Sequence, residues 1–146
     1  MDALAMIVAG LLAIPLLALA IAHLLWSVGI MWPIRDRALL ARTVTGRPGP
    51  ARMPPKILSF GVFLLTLAAC VIAFSVADPT SGGLGLTLLG LLAALGFFAR
   101  GALGFTAWWA AQTPEQPFRG LDRKTYSPVC LAIGAGFLIL AAMRLL

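Results

Sequence analysis

The sequence predicts an all-α integral membrane protein that folds as a single four-helix bundle. Hydrophobic residues make up 61% of its 146 residues and charged residues only 11%, whereas about a quarter of the residues in soluble domains are charged. Four apolar stretches are each long enough to cross a bilayer, which takes about 20 residues of helix. Because four crossings use most of the chain, we expect one transmembrane domain over residues 1–146 and no separate soluble domain.

The predicted spans are residues 3–33, 56–77, 84–111 and 128–146, and the two polar loops are residues 34–55 and 112–127. The first span lacks the basic segment that precedes a cleavable signal, so we expect it to be retained. A short turn rich in Gly and Pro joins the second and third spans, which makes them antiparallel neighbours. The fourth span begins at Ser127-Pro128, a pair typical of an N-cap followed by the first helical position.

The first polar loop is rich in Gly and Pro, which break regular structure. Its first part, from Arg35 to Thr45, fits a short interfacial helix that turns Leu39 and Leu40 toward the membrane and Arg35 and Arg42 toward lipid phosphates. A disordered connector fits the same composition. Both alternatives stay open at the level of the sequence.

The distribution of basic residues predicts the orientation of the bundle. Nine of the eleven Lys and Arg residues fall at the two polar loops: Arg35, Arg37, Arg42, Arg47, Arg52, Lys56, Arg119, Arg123 and Lys124. Basic loops stay on the cytoplasmic side, so we expect both termini on the periplasmic side. The formal charge of +6 is accounted for by this orientation and by anionic headgroups, and no recognition module suggests nucleic acid.

Arg100 is the unusual residue of the third span, because a guanidinium is costly at membrane depth. No Asp or Glu lies within any predicted span, so its nearest carboxylates are those of the second polar loop. Counting back from Ala111 and from Pro33 places Arg100 and His23 at the same depth, each about 15 Å from the cytoplasmic ends of their spans.

Three interpretations of this layer stay open. In the first, Arg100 extends toward the interface and bonds to carbonyls and to Asp122 or Glu115, while Trp108 and Trp109 shield its stem. In the second, Arg100 and His23 line a pocket for an anionic or carbonyl-bearing ligand, such as a lipid phosphate or a quinone. In the third, the pocket is catalytic and His23 carries a proton.

Metal and thiol chemistry are not expected. The chain has one histidine and no carboxylate at membrane depth, which is too few ligands for a metal or haem site. Cys70 and Cys130 are about 18 Å apart along the bundle axis, beyond the reach of a disulfide. We assign no catalytic residue, cofactor or metal ligand.

Small residues recur at helical spacing in the third and fourth spans. They are Gly90, Ala94, Gly101, Gly104, Gly134 and Gly136. Small side chains let helix backbones approach closely in membranes. These positions therefore predict where the helices pack together.

Two stretches resemble a known family. The first is Ala22-His23-Leu24-Leu25-Trp26, with HxxW spacing, and the second is Phe118 to Leu131, with the pattern FxxLDxxxYSPxCL. They resemble the bacterial membrane family called domain of unknown function 3995. The resemblance implies a four-span fold in the bacterial inner (cytoplasmic) membrane and supplies no established reaction. It marks the positions His23, Trp26, Arg100, Asp122, Tyr126, Ser127, Pro128 and Cys130, and it makes Asp122 a candidate counter-charge for Arg100.

The leading functional hypothesis is a non-enzymatic small membrane protein, either an accessory subunit of a larger complex or a binder of a lipid or other hydrophobic small molecule. The alternative is a membrane enzyme or carrier that acts on an amphipathic anion in an inner-leaflet cavity lined by His23 and Arg100. The candidate ligand-binding residues are His23, Trp26, Arg100, Trp108, Trp109, Asp122 and Tyr126. Besides the lipid bilayer, the expected partners are other membrane subunits, a second copy of the chain, or a bound lipid or quinone.

Overall fold

The computed structural model describes residues 3–80 and 82–146, and these residues form helices and no strand. The helices are α1 (Ala3–Ser27), α2 (Arg37–Val44), α3 (Lys56–Ala77), α4 (Gly83–Leu103), α5 (Ala107–Gln112), α6 (Phe118–Leu121) and α7 (Ser127–Leu145). A π-helical turn, Asp122–Tyr126, joins α6 to α7. Helices α1, α3 and α4 and the continuous segment Phe118–Leu145 are long and apolar enough to cross a membrane. The predicted all-α membrane bundle with four spans is confirmed.

The bundle consists of two tightly packed helix pairs. Helix α1 packs mainly against α3 and α4 packs mainly against α7, while α7 also contacts α1 and α3. The four long helices share one hydrophobic core, which includes the almost fully buried Leu16, Ile133, Phe137 and Leu140. The apolar faces that point away from this core are left for the lipid chains.

Glycines bring the helices of this core close together, as their spacing predicts. A Cβ at Gly136 would lie 2.5 Å from the side chain of Leu12, and one at Gly101 would lie 2.6 Å from that of Leu131. Real Cβ atoms do not approach other atoms so closely, so a side chain at either position would force the leucine that it meets to move, and glycine lets α7 lie close to α1 and α4. The predicted packing positions are confirmed.

Two of the long helices end before the predicted spans do. Helix α1 ends at Ser27 rather than near residue 33, because Gly29 adopts a φ of 90° and turns the chain. Helix α4 ends at Leu103 rather than near residue 111. His23 and Arg100 each lie about one turn from the end of their helix, so the helical rise behind the predicted depth of about 15 Å does not continue to residues 33 and 111.

Residues 28–55 and 104–126 together form one end of the bundle, called the basic end below. Helix α2 lies within it, so its helical alternative is confirmed over the disordered connector. The Asp36 carboxylate caps α2 by accepting bonds from the backbone N–H groups of Ala38 and Leu39. Leu40 and Ala41 are buried within the protein, so the prediction that Leu40 turns toward the membrane is wrong, whereas Leu39 is exposed. The first polar loop thus covers the bundle with an ordered structure.

The opposite end of the bundle is closed by Arg144, near the end of α7. Its guanidinium donates to three carbonyls at the end of α3, those of Ser75 (3.3 Å), Val76 (3.2 Å) and Asp78 (2.6 Å). Helix C-termini leave such carbonyls without helical partners and attract cations. Hydrogen bonds from the hydroxyl and the backbone N–H of Thr80 lower the pKa of the Asp78 carboxyl in the adjoining turn.

Candidate binding site at the basic end

Asp122 is the centre of the polar network at the basic end. Its side chain is fully buried, and its two oxygens accept three hydrogen bonds. Arg100 donates to Oδ1 over 2.7 Å, the Trp109 indole donates to Oδ2 over 2.8 Å, and the Ser127 hydroxyl donates to Oδ1 over 3.2 Å. A buried carboxylate needs a counter-charge and donors because burial removes its hydration. Asp122 is therefore the counter-charge of Arg100, as the resemblance suggested.

Arg100 lies in the last turn of α4 and is held from several sides. In addition to the ion pair, its Nη1 donates to the Ser127 hydroxyl over 3.4 Å, and its guanidinium carbon lies 5.4 Å from the centre of the Trp109 ring. That distance is typical of a cation–π interaction. About a third of the side chain, 34%, is still exposed. A guanidinium has five N–H donors, so Arg100 can hold a ligand oxygen while it stays paired with Asp122.

The break between α4 and α5 positions these groups. A Cβ at Gly104 would overlap the Ser127 hydroxyl and lie 2.9 Å from Oδ2 of Asp122, so this close approach requires glycine. The hydroxyl of Thr106 then caps α5 by accepting the N–H of Trp109 over 3.2 Å. Helix α5 turns the chain back and places the Trp109 indole against Arg100.

The π-helical turn positions the carboxylate, and it corrects a prediction. Ser127 is not an N-cap, because the chain is helical without interruption from residue 118 to residue 145 and the Ser127 hydroxyl bonds to Asp122. Within the turn the N–H of Ser127 bonds to the carbonyl of Asp122, five residues earlier. Pro128 has no N–H and would clash with the preceding turn of a regular helix, and the wider turn accommodates it. Asp122 and Ser127 consequently both face Arg100.

The two polar loops are in contact with each other beside this network. The Tyr126 hydroxyl donates to the carbonyl of Thr43 over 3.1 Å, and the Glu115 N–H donates to the carbonyl of Gly46 over 3.1 Å. The Phe118 ring stands 5.8 Å from the Tyr126 ring and packs on Gly46. The first loop is therefore fixed over the ion pair rather than extending into solvent.

Two cavities open between the loops and the ends of the helices. The first has a volume of about 490 Å³, and the second, of about 410 Å³, shares Arg47, Pro48 and Trp109 with it. The first is lined by Val44, Thr45, Arg47, Pro48, Pro50, Arg52, Met53, Pro54, Pro55, Leu58, Arg100, Trp109 and Phe118. The second is completed by Trp108, Gln112 and Thr113. Arg100 thus forms part of the wall of an open cavity of small-ligand size.

The remaining candidate residues lie apart from the ion pair. His23 donates from Nδ1 to the carbonyl of Leu19 over 2.9 Å, and its ring lies 4.7 Å from that of Trp26. Trp26 in turn donates to the carbonyl of Trp32 over 2.7 Å. Neither His23 nor Trp26 lines the two cavities. Of the predicted residues, Arg100, Trp109 and Asp122 are brought together, Trp108 lines the second cavity, and Tyr126 secures the loop.

Arg47 and Arg52 were not among the predicted site residues. They face the first cavity because the loop folds back over α4 and α5, and their spacing in a proline-rich loop matches no binding motif. The thiols of Cys70 and Cys130 are both free, as their predicted separation requires. Among residues 3–80 and 82–146, no three His, Cys, Asp or Glu side chains are grouped as metal ligands.

The family assignment follows from a family model described as "Protein of unknown function (DUF3995)". It matches residues 16–137, from the middle of α1 to α7, and so includes the ion pair and both polar loops. Neither the curated proteins nor the solved structures contain a match to the chain. The match agrees with the resemblance carried by the HxxW and FxxLDxxxYSPxCL patterns. The chain therefore belongs to the DUF3995 family of proteins of unknown function.

Proposed function

We propose that this protein is a non-enzymatic binder of an amphipathic anion, a lipid with an acidic headgroup, which it holds in the first cavity of the basic end. The observation that carries the proposal is the position of Arg100. Its guanidinium is neutralised by Asp122 on its buried side and is exposed on the cavity side, where Arg47 and Arg52 also line the wall. Guanidinium groups bind carboxylates and phosphates through paired N–H donors.

The rest of the wall suits the apolar part of such a ligand. Val44, Met53, Leu58 and Phe118 contribute aliphatic and aromatic surface beside the arginines. Pockets that combine apolar walls with a few polar groups are typical of small-molecule sites, in which the polar groups orient the ligand. An acidic lipid presents both kinds of surface.

The cavity is also preorganised. Four prolines of the first loop line it, namely Pro48, Pro50, Pro54 and Pro55, and proline restricts the backbone. Arg100 is fixed by Asp122, Ser127 and Trp109 before any ligand arrives. A site that is ordered in advance loses less conformational freedom when it binds.

We further propose that the basic end faces the cytoplasm and that the protein resides in a bacterial inner membrane. The contact between the two loops supports their lying on one side, and their cations favour the cytoplasmic side. The cavity would then lie at the inner leaflet, where anionic lipids are found. With Cys70 and Cys130 replaced by alanine, Arg47→Cys should react with an impermeant maleimide only in inverted vesicles, and reaction in right-side-out vesicles would reverse the orientation.

A binder is favoured over an enzyme or carrier because no described residue that lines the first cavity is an acid, a base or a nucleophile suited to catalysis beside the arginines. His23, the single histidine of the chain, contacts Leu19 and Trp26 instead. Acid–base catalysis needs a proton carrier within hydrogen-bond reach of the reacting group. The arginines can position an anion, whereas proton transfer would need another residue.

The test is binding of dioctanoyl phosphatidylglycerol to the purified protein in a neutral detergent. Native mass spectrometry and calorimetry measure this binding. The double variant Arg47→Gln/Arg52→Gln removes two exposed cations of the cavity wall and should weaken binding at least about tenfold, or 1.4 kcal/mol. The matched control Arg35→Gln/Arg42→Gln removes the same charge from exposed residues outside the cavity and should change it little.

Equal weakening by both double variants would reduce the effect to general surface charge and overturn the proposal. Binding of dioctanoylglycerol as tight as that of the anionic lipid would overturn it as well. Decylubiquinone serves as a further probe, since tighter binding of the quinone would replace the anion with a carbonyl ligand. Absence of lipid binding together with a stoichiometric co-purifying polypeptide would favour the accessory-subunit alternative.

A further inference from the structure

The charges around the first cavity do not balance. Of the described residues that line it, three are charged, and all three are arginines: Arg47, Arg52 and Arg100. Asp122 compensates one of them from behind the wall, since it is fully buried and bonded to Arg100. An empty cavity therefore presents two uncompensated positive charges, and a ligand with a single negative charge would leave one of them.

The cavity is small enough for these charges to act together. A sphere of about 490 Å³ is about 10 Å across, which is close to the Debye length of about 10 Å at 0.1 M salt. An anion inside it therefore interacts with all three guanidinium groups before salt screens them. Walls of low polarity, such as Phe118, Leu58 and the prolines, strengthen the attraction further.

A comparison of the two cavities shows which of them would bind the charged headgroup of a ligand. It shares Arg47, Pro48 and Trp109 with the first cavity, but its other lining residues, Trp108, Gln112 and Thr113, are uncharged. Thr113 is buried and donates its hydroxyl to the carbonyl of Trp109, so it supports the wall. The positive charge is thus concentrated in the first cavity.

From this charge balance we propose that the first cavity recognises a doubly charged phosphomonoester headgroup in preference to a singly charged phosphodiester. The inference rests on the proposed function and specifies its ligand class. A phosphomonoester carries close to two negative charges above pH 7 and three terminal oxygens, which match the forked donors of several guanidinium groups. A phosphodiester offers one charge and two such oxygens. The same dianionic chemistry occurs in free phosphate, so the source of the ligand must be tested too.

The probes are two lipids that differ by one methyl group and one charge, dioctanoyl phosphatidic acid and its methyl ester, dioctanoyl phosphatidylmethanol. Calorimetry at pH 8 in a neutral detergent should give a dissociation constant about tenfold lower for phosphatidic acid, equivalent to 1.4 kcal/mol. Arg47→Gln/Arg52→Gln should bring the ratio of the two constants close to one. The control Arg35→Gln/Arg42→Gln should keep the ratio of the native chain.

The outcomes separate this inference from the proposed function. Equal binding of the two lipids, weakened equally by Arg47→Gln/Arg52→Gln, would overturn the preference for a dianion and leave the lipid binder standing. Binding of both lipids no tighter than that of dioctanoylglycerol would overturn both proposals. Inorganic phosphate that binds as tightly as phosphatidic acid would overturn the lipid as the source of the headgroup.

Discussion

The two ends of the bundle hold an arginine in different ways. At the opposite end Arg144 donates to three backbone carbonyls at the end of α3, and its charge also helps to lower the pKa of the nearby Asp78 carboxyl. At the basic end Arg100 is paired with the buried Asp122, which also binds Trp109 and Ser127. Carbonyls at a helix end are already present in the backbone, whereas a buried carboxylate must be supplied by the sequence and desolvated.

This difference in bonding favours the basic end, rather than the opposite end, as the candidate binding site. At the opposite end the Arg144 guanidinium stabilises the end of α3 by donating to its terminal carbonyls. A buried ion pair is weak evidence for stability, because apolar replacements of such pairs are often no less stable. The pair at the basic end also leaves Arg100 partly exposed on a cavity wall, and the proposed binding site is based on this exposure.

Breaking the ion pair should produce the largest effect. Asp122→Asn removes the counter-charge and places an amide among the donors of Arg100, Trp109 and Ser127. The expected loss is about 3 kcal/mol of unfolding free energy, at the low end for a broken buried pair because Arg100 is partly exposed. Titration with sodium dodecyl sulfate measures it, and Asp36→Asn, the same change at an exposed helix cap, should have little effect.

The double variant Arg100→Gln/Asp122→Asn decides whether the two residues act as a pair. Removing both charges should restore part of the stability that Asp122→Asn loses, since no uncompensated cation remains. Losses that simply add would show that Asp122 stabilises the fold independently of Arg100. The contrast between the two ends would then lose its basis.

The close approach at Gly104 should produce the next largest effect. Gly104→Ala places a Cβ against Ser127 and Asp122 and should destabilise the protein by about 1–3 kcal/mol, as overpacking does. Gly96→Ala is the matched control on α4, because a Cβ there meets no atom within 4 Å. Since alanine favours a helix over glycine, the control should be neutral or stabilising by up to about 1 kcal/mol.

Equal losses for the two alanine variants in the same titration would mean that α4 simply does not tolerate alanine. A neutral Gly104→Ala would contradict the role of the close approach in assembling the network. Loss at Gly104 alone, together with weaker lipid binding, would link the geometry of the ion pair to the cavity.

Hydropathy and the rarity of charged residues predict much of this molecule. Four long apolar stretches stand out in the hydropathy of the sequence, and they give the number of candidate membrane-spanning helices. Arg100 is conspicuous because it stands alone in its span, and the shortage of carboxylates leaves few counter-charges, of which Asp122 is one. Glycines such as Gly101 and Gly136 also stand out in apolar helices, and they indicate close packing because small residues let helix backbones approach each other.

The geometry of the site was harder to predict because it depends on local exceptions. Hydropathy continues across Gly104 and Thr106, so it does not detect the break that brings Trp109 back to Arg100. Ser127-Pro128 has the composition of a helix start, and only the π-helical turn makes it part of a continuous helix. Arg47 and Arg52 reach the cavity through tertiary packing of a loop, which local sequence patterns do not describe.

The smallest effect is expected at the opposite end. Arg144→Gln loses the charge and most of the donors that bind the carbonyls of Ser75, Val76 and Asp78, and the expected loss is about 1 kcal/mol, the usual value of a hydrogen bond to a helix end. Arg144→Lys keeps a cation at the helix end and should retain part of that stability. Lipid binding should be unchanged in both variants, because Arg144 lies far along α7 from the cavity residues at the basic end. Destabilisation as large as that of Asp122→Asn would mean that Arg144 matters as much for stability as the ion pair of Arg100 does. Lipid binding that changed in the Arg144 variants would show that the cavity depends on both ends of the bundle.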